Sequence, residues 1–291
     1  MAGPFASLTT EFRAVVSGDP IDMPRAALAI AKLEYPHLNP APSLKRLADL
    51  GDRAVEAAEP LEGAPARTVL AAVSRELFEK AGFAGNRAFY ADFRNSLLNI
   101  VLERRLGIPI TLALVFMEVA RRTNVDVRGV GFPGHFLMRG PDQGPGQGHD
   151  ERPLILDPFD GGRELGELDC RALLAEAAGD DQPYSPELLR PCTSRQMLAR
   201  ILNNLKRTYV EFRSFQQAYA ATDMILAVDP TLLFELRDRG LLAYHLDDYA
   251  SALKDLEDYL RLHAWAEDSA TERDEIWNHV KNLRRRVAGR N

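Results

Sequence analysis

Gly131-Phe-Pro-Gly-His135-Phe-Leu-Met-Arg139, followed by Leu154-Ile-Leu-Asp157-Pro-Phe-Asp-Gly-Gly162, is the stretch on which the fold of this chain turns. Both runs are short, apolar and bounded by glycine or proline, the pattern of strands. Between them, residues 140–151 read Gly-Pro-Asp-Gln-Gly-Pro-Gly-Gln-Gly-His-Asp-Glu, a loop composition. Pairing the two runs as a hairpin sets His135 beside Asp157, 22 residues further on. A carboxylate against an imidazole fixes the tautomer and stabilises the imidazolium, which is the base-and-orienter half of a nucleophilic triad. Upstream, Val125 to Phe132 is another strand-like run. Thr111 to Arg122 reads as a helix that is apolar nearly all round and therefore buried. The nucleophile of such a triad is expected at the start of that helix, where the dipole lowers a thiol's pKa.

Working outward, residues 1–65 read as a helical N-terminal segment. Ser7 to Val16 has apolar residues at helical spacing, Asp22 caps a second helix with Pro24 in its first turn, and Leu44 to Ala58 forms a third. Residues 66–192 form the core, with an amphipathic helix over Arg67 to Lys80, a short one over Asn95 to Arg105, the buried helix and a small antiparallel sheet. Helices and strands segregated in this way make an α+β domain. Residues 193–291 are all-helical and repeat themselves. Val210 and Tyr244, Phe215 and Tyr249, Ala218 and Ala252, Ile225 and Tyr259, and Leu226 and Leu260 are each 34 apart. That period of helix pairs marks tetratricopeptide-like repeats, and the last helix, Glu272 to Val287, is expected to cap them.

The chain has 291 residues, 46% hydrophobic and 27% charged, enough for about two domains with sizeable cores. Its net charge of −6 argues against general nucleic-acid binding, which needs clustered cations. Two cysteines, Cys170 and Cys192, exclude a disulfide scaffold. The longest apolar stretch, Gly107 to Val119, is broken by Glu118 and too short for a bilayer. The first residues lack the basic and apolar regions of a signal peptide. A cytoplasmic protein is expected, with no membrane or nucleic-acid partner. The oligomeric state is not encoded in any of these features.

Several motifs together resemble a known family. They are Gly82-Phe-Ala-Gly-Asn86, Asn95-Ser-Leu-Leu-Asn99, Val101-Leu-Glu-Arg-Arg-Leu-Gly-Ile-Pro-Ile-Thr111, Phe132-Pro-Gly-His-Phe-Leu-Met138, Leu156-Asp-Pro-Phe-Asp-Gly-Gly162 and Leu236-Arg-Asp-Arg-Gly-Leu241. The chain resembles the transglutaminase-like (papain-like) superfamily, and within it the SirB-type family, which joins such a core to a tetratricopeptide-like tail. The resemblance implies thiol chemistry for acyl transfer or amide hydrolysis, with His135 and Asp157 as the catalytic His and Asp. The cysteine has no counterpart. Pro109, Ile110 and Thr111 stand where it belongs, a substitution the resemblance implies for the SirB-type members generally.

The candidate residues each admit two readings. His135 is a general base, or a structural histidine bonded to Asp157. Thr111 is a substitute nucleophile, or the cap of the buried helix. Cys170 folds back toward His135, or is buried and inert. Cys192, at the domain joint, reads as structural. Asn95, Asn99, Arg104 and Arg105 line a ligand pocket, or satisfy buried backbone and ion pairs. His135, Asp157 and Asp160 with His149 and Glu151 match no compact ligand motif, so neither a metal nor a cofactor is expected. The tail's apolar groove takes a protein or peptide partner, or is consumed in packing the repeats. The leading expectation is a non-catalytic or weakly catalytic binding and scaffold protein with a regulatory role. The alternatives are a hydrolase or acyltransferase using the His135–Asp157 pair, and a peptide-binding module acting through the tail.

Overall fold

The computed structural model describes residues 5–141, 153–179, 182–263 and 270–288. The chain divides into two compact units, Asp22–Met197 and a second composed of Met1–Ile21 with Leu198–Asn291. This division differs from boundaries at 65/66 and 192/193: residues 22–65 cluster with the core and residues 1–21 with the tail.

Helix α1 (Ala6–Val16) opens the chain, in the tail unit. In the core unit, α2 (Met23–Ala31) is capped by Asp22, whose Oδ1 accepts from Arg25 N at 3.0 Å, with Pro24 in the first turn. Helix α3 (Ala41–Ala58) starts earlier than expected because Pro42 falls in its first turn. There the missing N–H would have had no partner in any case. Helix α4 (Ala66–Ser74) runs on into a π-helical turn, Arg75–Lys80. Two-residue strands β1 (Ala84–Gly85) and β2 (Leu106–Gly107) pair in parallel and bracket a 3-10 turn, Phe93–Ser96, and helix α5 (Leu98–Arg104).

Helix α6 (Pro109–Arg122) is the centre of this unit. Ile110, Leu112 through Phe116, Val119 and Ala120 are at most 2% exposed, so the all-round apolar pattern is explained by burial on every side. Each fully buried Leu or Phe there contributes roughly 2 kcal/mol. Helices α2 to α5 pack on one part of its surface, and strands β3 (Arg128–Val130) and β4 (Leu137–Arg139) on another. The sheet continues through β5 (Ile155–Asp157) to β6 (Arg163–Leu165), antiparallel throughout in the order β3-β4-β5-β6. The expected hairpin is present, with Met138 opposite Leu156 and Arg139 opposite Ile155. Val130, Leu137, Ile155 and Leu165 form a cluster with Cys170 and Leu174 of helix α7 (Glu167–Ala178), which covers that face.

In the tail unit, α9 (Phe215–Val228) and α11 (Tyr249–Leu262) start 34 residues apart. Helices α8 (Ser194–Glu211) and α10 (Leu233–His245) end 34 apart. The sequence period is therefore the period of the helix pairs. Ala218, Ala252, Ile225 and Tyr259 are fully buried between them. Helix α12 (Ala270–Ala288) packs on α11 through Ile276, Val280 and Leu283, as a terminal cap should. Helix α1 packs on α9, and its Arg13 forks both oxygens of Asp223 at 3.0 Å. That contact is why the first residues group with the tail.

Four consecutive residues of α10, Arg237 to Gly240, between them meet α8, α9, α11 and α12. Arg237 bonds Glu272 of α12 at 2.6 Å, and Asp238 meets Lys206 of α8 at 2.9 Å. Arg239 holds Asp223 of α9 at 2.5 Å and both oxygens of Asp255 of α11 at 2.7 and 2.9 Å. At Gly240 a methyl group would lie 2.8 Å from Leu256 of α11, so only glycine lets the two helices approach this closely.

Candidate functional site

His135 and Asp157 do meet. His135 Nε2–H points at Asp157 Oδ1 over 2.9 Å, with the two side chains 15% and 7% exposed. The hairpin brings them together: His135 precedes β4 and Asp157 ends β5. The turn before His135 needs Gly134 at φ +65°, against Ala177. Asp157 Oδ1 also accepts from Phe159 N at 2.8 Å, capping the short turn Pro158–Asp160. The ring nitrogen engaged by the carboxylate is Nε2, so Nδ1 is the one turned away from Asp157. This arrangement can orient an imidazole.

Aromatic and cationic groups flank the pair. The Phe159 ring meets His135 edge-on, with centroids 6.2 Å apart, and Tyr90 meets Phe159 edge-on at 5.7 Å. The Arg87 guanidinium lies 4.8 Å above the Phe159 ring and 3.4 Å from Asp160. Gly85 of β1 faces the same ring, where a methyl group would come within 2.4 Å. Tyr90 and Arg87 carry no motif in the sequence, whereas Phe159 and Asp160 lie inside Leu156–Gly162 and Gly85 inside Gly82–Asn86.

At the start of α6, where the resemblance leads one to expect the thiol, Pro109, Ile110 and Thr111 are buried. Thr111 is 1% exposed. Its hydroxyl donates to Asn95 O at 2.7 Å and accepts from Ile108 N at 3.2 Å. The second bond satisfies an orphan N–H at the helix start, so Thr111 caps α6. Asn95 is fully buried and acts as a staple. Its Oδ1 accepts from Asn86 Nδ2 at 2.9 Å and its Nδ2 donates to Phe89 O and Tyr90 O. It thereby fixes the loop that carries Tyr90.

Residues 43–203 match the family model described as the transglutaminase-like superfamily, and residues 205–276 match a tetratricopeptide repeat. The chain belongs to the transglutaminase-like superfamily. It is 38% identical to the UPF0162 protein of Xylella fastidiosa (strain Temecula1 / ATCC 700964) over 86% of this chain and 87% of that one. It is 32% identical to UPF0162 protein PA3419 of Pseudomonas aeruginosa, over 81% and 83% of the two chains. F-box only protein 21 of Mus musculus is 31% identical over 61% of this chain and 28% of its own length. No solved structure matches.

Within this transglutaminase-like core, the remaining candidates separate. Arg104 bonds Asp92 at 3.1 Å, an ion pair. Asn99 is 8% exposed, and its Oδ1 has no hydrogen-bond partner among the described residues. Arg105 lies on an open cavity that shares no lining residue with the His135–Asp157 pair. Asn95, Asn99, Arg104 and Arg105 thus differ in their partners. Cys170 is 1% exposed, and burial, reinforced by the charges of Asp169 and Glu167, pushes its thiol up to about 11. It cannot act as a thiolate near neutral pH. At roughly pH 8 iodoacetamide should leave Cys170 unlabelled in the native protein and label it after unfolding, as read by mass spectrometry. Labelling of Cys170 at the native rate of a surface thiol would contradict its placement. Cys192 donates its backbone N–H to Gly129 O at 2.8 Å at the edge of the sheet, a structural position. No group of three metal-ligating side chains gathers among the described residues. His149 and Glu151 lie outside them. No described helix is long and apolar enough to cross a membrane.

Asp92 ties Arg94 and Arg104 together. The hydrogen bond from Arg94 leads, with Arg104 assisting against burial, and its carboxyl falls to about 2 from an ordinary 3.8. A depressed pKa stabilises the fold above the ordinary value, and that contribution is lost as pH falls through the folded value. Asp92→Asn should cost about 1 kcal/mol at neutral pH after allowing for solvent screening. The gap between the urea midpoints of the variant and the parent should close as pH falls from about 4 to about 2. A gap independent of pH would show that the carboxylate's charge is not what holds Arg94 and Arg104.

Proposed function

We propose that this protein is a binding and scaffold protein built on a transglutaminase-like core, with little or no catalytic activity of its own. The observation that supports this reading is the start of α6, where the resemblance leads one to expect a thiol: Pro109, Ile110 and Thr111 are buried, and the Thr111 hydroxyl is engaged by Asn95 O and Ile108 N. A base without a nucleophile is part of a machine. The tetratricopeptide repeats support a protein partner, since such repeats generally mediate protein–protein contact. The core contributes a second exposed surface through Phe89, 70% exposed, and Tyr90, 51% exposed and edge-on to Phe159.

One observation favours a second reading. His135 is correctly oriented by Asp157 and is 15% exposed, so a hydrolase or acyltransferase that activates water through His135 is the rival. The two are separated by assaying the full chain for amide hydrolysis and for glutamine transamidation. The binding reading expects turnover no greater than that of His135→Ala. Turnover abolished by His135→Ala would establish the enzyme. Partner capture by the full chain should then be weakened by Phe89→Ser if the core takes part. Weakening by Phe212→Ser alone, at an exposed position of the tail, would place recognition in the repeats.

A further inference from the structure

We propose that the cavity between α3 and the end of α5 is a binding site for a small organic anion, a carboxylate or phosphate group on a compact apolar body. The cavity is open and has a volume of ≈ 260 Å³. Its floor is apolar, with Phe83 and Leu102 buried and Leu50 half-buried. Its rim carries three guanidinium groups, Arg46 and Arg53 from α3 and Arg105 from the residue after α5. Arg46, Asp49, Leu50 and Arg53 share one face of α3, because residues three and four apart lie above one another on a helix.

Charge pairing on this rim is unequal. Arg53 pairs with Glu76, and Asp49 with Lys45 at 2.7 Å. Arg46 and Arg105 have no ion-pair partner among the described residues. Glu103 likewise has no ion-pair partner among the described residues, so the unpaired groups at the mouth, Arg46, Arg105 and Glu103, leave an excess of positive charge. Paired guanidinium forks match the oxygens of a carboxylate or phosphate, and an adjacent apolar floor favours a ligand with a carbon body.

Arg105 supplies the second observation. It is in the left-handed conformation, φ 59° and ψ 23°, just past the C-terminus of α5. Its backbone is held there from both sides: its N–H donates to Val101 O at 2.8 Å and its carbonyl accepts from Ala84 N at 2.9 Å. Glycine is the residue such a helix end favours. An arginine at this position is strained for the fold and is placed on the rim by that backbone. The inference is independent of the reading of His135.

The test is a titration of the full chain followed by ¹H–¹⁵N spectra, with phenyl phosphate, benzoate, inorganic phosphate and benzyl alcohol as probes. Phenyl phosphate or benzoate, or both, should give saturable shifts at Gly82, Phe83 and Arg105, and the stronger of the two identifies the anion. Inorganic phosphate should bind more weakly for lack of a carbon body, and benzyl alcohol should not saturate. Arg105→Gly and Arg46→Gln should each weaken binding about tenfold, the effect of losing one charge-assisted contact. Arg105→Gly should also melt at or above the parent's temperature, so lost binding cannot be ascribed to unfolding. Linear shifts with every probe, benzyl alcohol binding as well as the anions, or unchanged affinity in both variants would overturn the proposal.

Discussion

Arg239→Ala is expected to destabilise the helical tail by about 3 kcal/mol, read as a shift in the urea or thermal unfolding of the full chain. Arg239 is 20% exposed and sits between Asp255, 4% exposed, and Asp223, 16% exposed. Burial works against its charge. The hydrogen bonds and charge of Asp255, with the charge of Asp223, more than offset that, so the guanidinium stays above the ordinary arginine value. Removing it strands the Asp255 carboxylate in a site nearly closed to water, and an unpaired buried charge is far costlier than a lost surface pair. Arg13→Ala is the matched control. Arg13 also holds Asp223, but from a position 53% exposed, and its loss should cost roughly 0.5 kcal/mol. Equal effects from the two variants would mean that the Asp223–Arg239–Asp255 array is a surface ornament and not the joint between α9, α10 and α11.

The segment containing Arg239 also shows what sequence can and cannot reveal. Leu236-Arg-Asp-Arg-Gly-Leu241 was recognisable as a motif, yet its charges name no partners. Glu272, Lys206, Asp223 and Asp255 lie 35, 32, 16 and 16 residues from the groups they bond. No local rule selects them. The 34-residue period was legible because helix pairs that repeat must repeat their small residues, and Ala218 and Ala252 do so. The hairpin was legible because apolar runs bounded by Gly and Pro leave few alternatives. The grouping of α1 with the tail was not. An amphipathic helix shows that one face is buried, but not against what. The same limit applied in the core. Asn95 could be seen as polar beside a buried helix, whereas its bonds to Asn86, Phe89 and Tyr90 depend on a loop too irregular to pattern. Strands β1 and β2, two residues each, carry no periodicity at all.

The second large effect is expected at the site itself. Asp157→Ala should destabilise the core by about 2–3 kcal/mol, while Asp157→Asn and His135→Ala should each cost about 1 kcal/mol. The ordering follows from what Asp157 Oδ1 does. It accepts from His135 Nε2 at 2.9 Å and from Phe159 N at 2.8 Å, inside a side chain only 7% exposed. Alanine removes both acceptors and leaves the Phe159 N–H without its cap, a desolvated donor with nothing to meet. The Phe159 ring, packed on His135 and facing Gly85, then loses the turn that aims it. Asparagine keeps an oxygen in the same place and can still accept from both donors, so it removes the charge and little else. His135→Ala removes one partner from a partly exposed ring and leaves the cap intact. Urea unfolding of the three variants checks the order. If Asp157→Ala proved as mild as His135→Ala, Asp157 would serve the imidazole alone and a chemical role for the pair would gain ground. If the order holds, the carboxylate is required by the turn Pro158–Asp160 whether or not any reaction takes place. The fold then has its own use for the Asp157 carboxylate, and that use does not depend on a thiol at the start of the buried helix.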